Sequence, residues 1–155
     1  MASLDRNDVH SVAPEVAVEF FSEIMPFNTL AEEALNRLAR HCRIDFFPKG
    51  THLFKTGETK VEYLYVIQSG GVKSFIVDDE GEVTLKDYRG EGSVIGALAL
   101  IRGTRANLDV ETVEDTFCFL VPKQIFLDLI NEQPGFAQYY LKSFSNKIVS
   151  TAYTE

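Results

Sequence analysis

From Gly92 to Val110 the chain reads Gly-Ser-Val-Ile-Gly-Ala-Leu-Ala-Leu-Ile-Arg-Gly-Thr-Arg-Ala-Asn-Leu-Asp-Val, and these residue types could hold an anion. Backbone that approaches an anion closely needs glycine, because a Cβ would keep the N–H groups away. A short helical turn opening at Gly96 would aim its unsatisfied N–H groups at a ligand, which suits phosphate. Arg105 would add charge and a planar fork of donors. Arg102 is a second cation in the segment, and Lys86 and Arg89 lie just before it. The plain alternative is a tight turn and a buried apolar stretch in an ordinary β protein.

Other chemistry is poorly represented. A metal-dependent enzyme needs a pair such as His-x-His with a carboxylate at strand spacing, whereas His10, His41 and His52 are scattered. His52 could point into a barrel, but a lone histidine is usually structural or solvated. No Gly-x-Ser-x-Gly or Walker-type loop is present. No catalytic or metal-ligating residue is therefore assigned, and no enzyme is expected. Cys42 and Cys118 sit far apart in apolar stretches and read as two buried free thiols. The net charge of −8 opposes nonspecific attraction to nucleic acid or a membrane surface, so any attraction for an anion must be local. The first residues lack an apolar signal segment and no apolar run reaches the length of a membrane span. A cytoplasmic protein with no direct nucleic-acid or membrane partner is expected.

The elements that must position these residues fall in three blocks. Residues 1–13 are polar and expected to be flexible. Residues 14–43 form a helical segment: one helix over 15–25 ended by Pro26, and a second opened by Thr29 with Glu32 as a capping box. Leu30, Ala34, Leu35, Leu38 and Cys42 mark one face of the second helix. Over 44–121 the period changes to short β-branched and aromatic runs at 44–47, 52–55, 63–68, 72–77, 83–88, 107–111 and 116–121. Turn chemistry separates them, including the hairpin residues Asp78-Asp-Glu-Gly81. That rhythm predicts a mainly β protein, an antiparallel sandwich or jelly roll, with flanking helices. Over 122–155 the helical period returns, with Pro122 opening one helix and Pro134 another. The last stripe runs through Ala137, Tyr140, Leu141, Phe144, Ile148 and Ala152. It lacks a C-cap signal, so a helix continuing into a longer protein is expected.

The ordered motifs Phe47-Pro-Lys-Gly50, Leu53-Phe-Lys-Thr-Gly-Glu58, Tyr63-Leu-Tyr-Val-Ile-Gln-Ser-Gly70, Gly92-Ser-Val-Ile-Gly96-Ala-Leu-Ala-Leu-Ile101 and Glu114-Asp-Thr-Phe-Cys-Phe-Leu-Val-Pro122 resemble the cyclic-nucleotide-binding domain family. The resemblance covers about residues 27–144 and extends to catabolite-activator-type regulators and protein kinase regulatory subunits. It implies a jelly roll in which 92–107 is the phosphate-binding cassette, whose usual form is Phe-Gly-Glu-Leu-Ala-Leu-Ile, a four-residue spacer and Arg-Ala-Ala. In the family the Glu meets the ribose 2′-hydroxyl and the Arg the cyclic phosphate. Here Ala97 stands at the Glu position and Ala106 at the Arg position, with Arg105 one residue early.

The resemblance implies cAMP or cGMP as ligand, held at Gly96, Ala97, Leu98, Ala99, Arg105, Ala106 and Asn107, with Tyr140 and Phe144 capping the base. A loop can absorb a one-residue shift, whereas in a strand it sends the side chain to the opposite face. Arg105 lies just outside the run 107–111, so both outcomes stand at this point. The expected function is a regulatory domain that senses a small anionic, nucleotide-type ligand and signals through its C-terminal helix to an attached effector. The alternative is a degenerate module of the same fold that serves dimerisation or docking. A homodimer through the C-terminal helix is expected. The run from Glu114 with the later Pro134-Gly-Phe-Ala137 also resembles the N-terminal regulatory domain of bacterial CBS and nucleotidyltransferase-like signalling proteins.

Overall fold

The computed structural model describes residues 12–154, and the side chains of these except Leu85, Lys86 and 146–154. Two helices open it, α1 (Pro14–Phe21) and α2 (Glu32–His41), joined through a 3-10 turn at Phe27–Thr29. Eight strands follow: β1 (Arg43–Phe47), β2 (His52–Phe54), β3 (Tyr63–Ser69), β4 (Val72–Val77), β5 (Val83–Arg89), β6 (Val94–Ile95), β7 (Asp109–Thr112) and β8 (Thr116–Pro122). Between β6 and β7 lies the short helix α3 (Ala97–Arg102), and the chain ends in α4 (Lys123–Glu132) and α5 (Pro134–Thr154). The expected flexible stretch 1–13 falls largely outside the described residues, as do the side chains of Ile148 and Ala152.

The strands form two antiparallel four-stranded sheets, ordered β1-β8-β3-β6 and β2-β7-β4-β5. This is the antiparallel jelly roll with flanking helices that the period-two runs predict. Side chains alternate along each strand, so the register assigns the faces. In the first sheet Phe119 pairs with Ile44 and Val66, and Val121 with Leu64. The Phe119 ring lies 4.9 Å from Phe20 and 5.2 Å from Phe21, so this face takes the N-terminal helix. The opposite face carries Tyr65, Leu120 and Cys118 and looks into the roll. In the second sheet Val72 pairs with Thr112 and Ser74 with Val110, all buried, which identifies their face as the inner one.

The helical block departs from the sequence reading in two places. α1 stops at Phe21 instead of reaching residue 25, because Phe21 must meet Phe27 at 4.8 Å and the chain turns between them. The capping box does not form: Thr29 closes the 3-10 turn and donates to Pro26 O at 2.6 Å, while Ala31 precedes α2 with no side-chain cap. β6 has only two residues, too few to show a period. Cys42 and Cys118 are both buried and free. Among the described residues no helix is long and apolar enough to cross a membrane.

Candidate functional site

The segment 90–107 is held from both ends. Gly92 N–H donates to Ile67 O at 2.8 Å and Ile67 N–H to Ser93 O at 2.9 Å, which delivers β6 onto the edge of β3. Gly96 then takes φ +98°, a left-handed conformation that favours glycine, and opens α3 as expected. Its α-carbon is closely covered: a Cβ there would lie 3.2 Å from Phe54 Cζ and 3.2 Å from Val61 Cγ1. Leu100 N–H returns to Gly96 O at 3.0 Å, and Gly103, at φ +69°, closes the helix.

Beyond α3 the backbone runs against the loop between β2 and β3. Ala106 N–H donates to Thr59 O at 2.9 Å and Gly57 N–H to Ala106 O at 2.8 Å, beside an antiparallel bridge between Lys60 and Arg105. Residues 105 and 106 therefore lie in extended, paired backbone where neighbours take opposite faces. Ala106 is the inward one, 3% exposed. Arg105 turns outward to solvent and its Nη1 donates to Glu58 O at 2.8 Å.

The remaining residues divide in the same way. Ala97 and Ala99 are buried, Leu98 is half-buried, and Asn107 and Arg102 are exposed. Tyr140 and Phe144 lie together, 6.1 Å apart, in an aromatic cluster with Phe126 and Phe136 on α4 and α5. The rings that Tyr140 meets, Phe126, Phe136, Tyr139 and Phe144, all lie on α4 and α5. The two parts are joined through α4, which packs against both α3 and α5.

The roll interior beside Gly96 is aromatic. Phe54 packs edge-on to Tyr65 at 5.4 Å, and Phe47 lies 6.0 Å from the same ring. Burial pushes the Tyr65 hydroxyl up to about 12, and burial likewise pushes the Cys118 thiol to about 12, so both stay protonated at neutral pH. Phe54, Val61 and Tyr65 were not singled out from sequence. Phe54 and Tyr65 lie within the runs 52–55 and 63–68 and Val61 lies in neither; the pairing of 57–60 with 105–106 brings Val61 over the glycine.

His52 does not enter the roll. It pairs with Glu111 on the outer face of the second sheet, where its Nε2 lies 3.0 Å from Asp109 Oδ2 and its ring 6.0 Å from Phe75. Asp109 Oδ1 also accepts from Thr56 N–H at 3.1 Å and Thr56 Oγ1 at 2.6 Å. No group of three or more His, Cys, Asp or Glu side chains that could hold a metal occurs among the described residues.

Residues 44–133 match the family described as the cyclic nucleotide-binding domain, and the chain belongs to that family. It is 30% identical over 125 residues to the fumarate and nitrate reduction regulatory protein of Vibrio cholerae, covering 80% of this chain and 49% of that protein. The chain thus spans about half the length of the curated relatives it matches. Its fold is similar to the sensor domain of the transcriptional regulator DNR from Pseudomonas aeruginosa, with a TM-score of 0.77 and 17% identity over 90% of this chain and 93% of that one. It is similar as well to the regulatory domain of Toxoplasma gondii protein kinase A crystallised with cAMP, with a TM-score of 0.67 and 24% identity over 74% of this chain and 43% of that one. These relatives are regulators. Because they include a transcriptional regulator, the expectation of no nucleic-acid partner finds no support in them; the charge of this chain speaks for its own residues alone.

Proposed function

We propose that this chain is the ligand-sensing regulatory domain of a longer cytoplasmic protein. A small anionic, nucleotide-type molecule enters beside 96–99, and the response leaves through α4 and α5 to an attached effector. The observation that carries this reading is the position of α3. Gly96 opens it in the left-handed conformation, next to the roll interior, so the first-turn N–H groups lack intrahelical acceptors. The same helix packs on α4, and α4 on α5, which supplies a mechanical route outward. Dimerisation through α5 and continuation into a CBS or nucleotidyltransferase-like region belong to the same proposal.

One observation favours the alternative of a docking module that has lost its ligand. With Ala97 and Ala106 inside and Arg105 turned out, neither side-chain contact implied for cAMP is available. A lost ribose acceptor costs about 1–3 kcal/mol and a lost charge partner about 2–5 kcal/mol. A micromolar ligand has about 8 kcal/mol in total, so cAMP itself is expected to bind in the millimolar range. Calorimetric titration with cyclic mononucleotides and cyclic dinucleotides separates the readings. Saturable binding of any of them supports the sensor, and no heat with any at millimolar concentration leaves the docking module. Sedimentation with and without residues 134–155 tests the dimer, which fails if both forms are monomers.

A further inference from the structure

The roll carries a cation at a place other than the one the family resemblance points to. We infer that Arg89 is the anion-binding residue beside the cassette glycine and that Asp87 is its built-in competitor, so that a small molecule bearing a phosphate or carboxylate binds by displacing Asp87. This rests on the sensor reading above and names the side chain that would receive the charge.

Arg89 pairs across the strands with Val72, and Asp87 with Ser74. Val72 and Ser74 belong to the buried inner face, so the register directs both charged residues to the inner side of β5, while Tyr88 between them is exposed. The Arg89 side chain is 30% exposed. It reaches the strand that leads into the cassette glycine, where Nη1 donates to Val94 O at 3.4 Å, two residues before Gly96. Its other contact is from Nε to Asp87 Oδ2 at 3.3 Å, with Asp87 55% exposed.

Both contacts are longer than the usual 2.7–2.9 Å of a charge-assisted hydrogen bond. A guanidinium has five N–H donors, so most remain open to a ligand oxygen. Of the basic residues flanking the cassette, Arg102 is exposed at the end of α3 and Arg105 is turned outward onto Glu58 O, whereas Arg89 is half-buried on the inner register. A phosphate or carboxylate arriving from the roll interior has the charge and fork geometry to replace the exposed carboxylate of Asp87.

The test uses inorganic phosphate as probe, followed by NMR at the Arg89 side-chain Nε–H and at backbone amides, in the wild-type chain and in Arg89→Gln, Arg105→Gln and Asp87→Asn. The expected result is saturable movement of the Arg89 Nε–H signal together with amides near Val94 and Gly96. Binding should weaken about tenfold or more in Arg89→Gln, stay unchanged in Arg105→Gln and tighten in Asp87→Asn. A melting curve of each variant confirms folding. Wild-type affinity in Arg89→Gln, loss in Arg105→Gln alone, or no movement at Arg89 up to high millimolar phosphate overturns the assignment. A nucleotide that binds wild type and Arg89→Gln equally overturns it too, and leaves the sensor reading standing. Failure of every nucleotide while phosphate still moves Arg89 sinks the sensor reading alone.

Discussion

The hydroxyl of Thr56 donates to Asp109 Oδ1 at 2.6 Å and so pins the loop after β2 to the first residue of β7. Burial alone raises the Asp109 carboxyl, but the bonds from the Thr56 hydroxyl, the Thr56 N–H and His52 outweigh it, and the group titrates below its ordinary 3.8. A carboxyl whose folded value is depressed contributes stability above its unfolded value and loses it as pH falls through the folded one. Asp109→Asn is therefore expected to lower stability at pH 7 by about 1–3 kcal/mol and to flatten the acid limb below pH 4. Denaturant melts at several pH values check both.

Restoring the family's two side chains should restore the ligand at a cost to the empty protein. Ala97→Glu with Ala106→Arg places two charges at positions 8% and 3% exposed. Without ligand the double variant should melt lower than wild type, because buried charges are costly until solvated or paired. With cAMP its melting temperature should rise with ligand concentration, as binding to the folded state alone requires. A double variant that shows no cAMP-dependent shift would mean that the surrounding roll no longer fits a nucleotide.

Tyr140 is 5% exposed and its hydroxyl has no hydrogen-bond partner. Tyr140→Phe keeps the rings that meet Phe126 and Phe136 and removes a desolvated hydroxyl. It is expected to stabilise the protein by about 1 kcal/mol, read from the denaturation midpoint. A loss of stability would show that the hydroxyl finds a hydrogen-bond partner in solution.

Burial pushes the Cys42 thiol to about 11 and the Cys118 thiol to about 12. A thiol raised in the folded state contributes stability that is complete below its unfolded value of 9.0 and declines as pH rises toward the folded value. Stability should fall between pH 9 and 12, less steeply in Cys118→Ala. At pH 8 a thiol reagent should react with each only as fast as the protein opens.

Three glycines with positive φ should rank by what surrounds them. At Gly81 a Cβ meets nothing within 4 Å, so alanine adds only the left-handed backbone cost of about 1–2 kcal/mol. At Gly96 it adds contacts of 3.2 Å to Phe54 and Val61, and at Gly70 a contact of 2.5 Å to the Asp115 carbonyl. The melting temperature should fall least for Gly81→Ala, by about 2–8 °C, and most for Gly70→Ala. Equal losses at all three would show that backbone conformation alone sets the cost.

Seven of the eight strands were legible from β-branched and aromatic period-two runs, and the turn at Gly96 from its glycine and the apolar segment behind it. The end of α1 was not, because the Phe21–Phe27 contact that bends the chain is tertiary. Thr29 and Glu32 have the right spacing for a capping box, but Thr29 is already committed to Pro26 O. The direction of Arg105 depended on whether 104–106 is loop or paired backbone. That is decided by residues 57–60, far away in sequence. Arg89 could be noted as nearby and cationic, but its inward register follows only from its pairing with Val72.

Arg105 fastens to the main-chain oxygen of Glu58. Every amino acid offers that oxygen, so the side chain at position 58 can be exchanged without removing the acceptor. Position 105, by contrast, must keep a long donor to hold it.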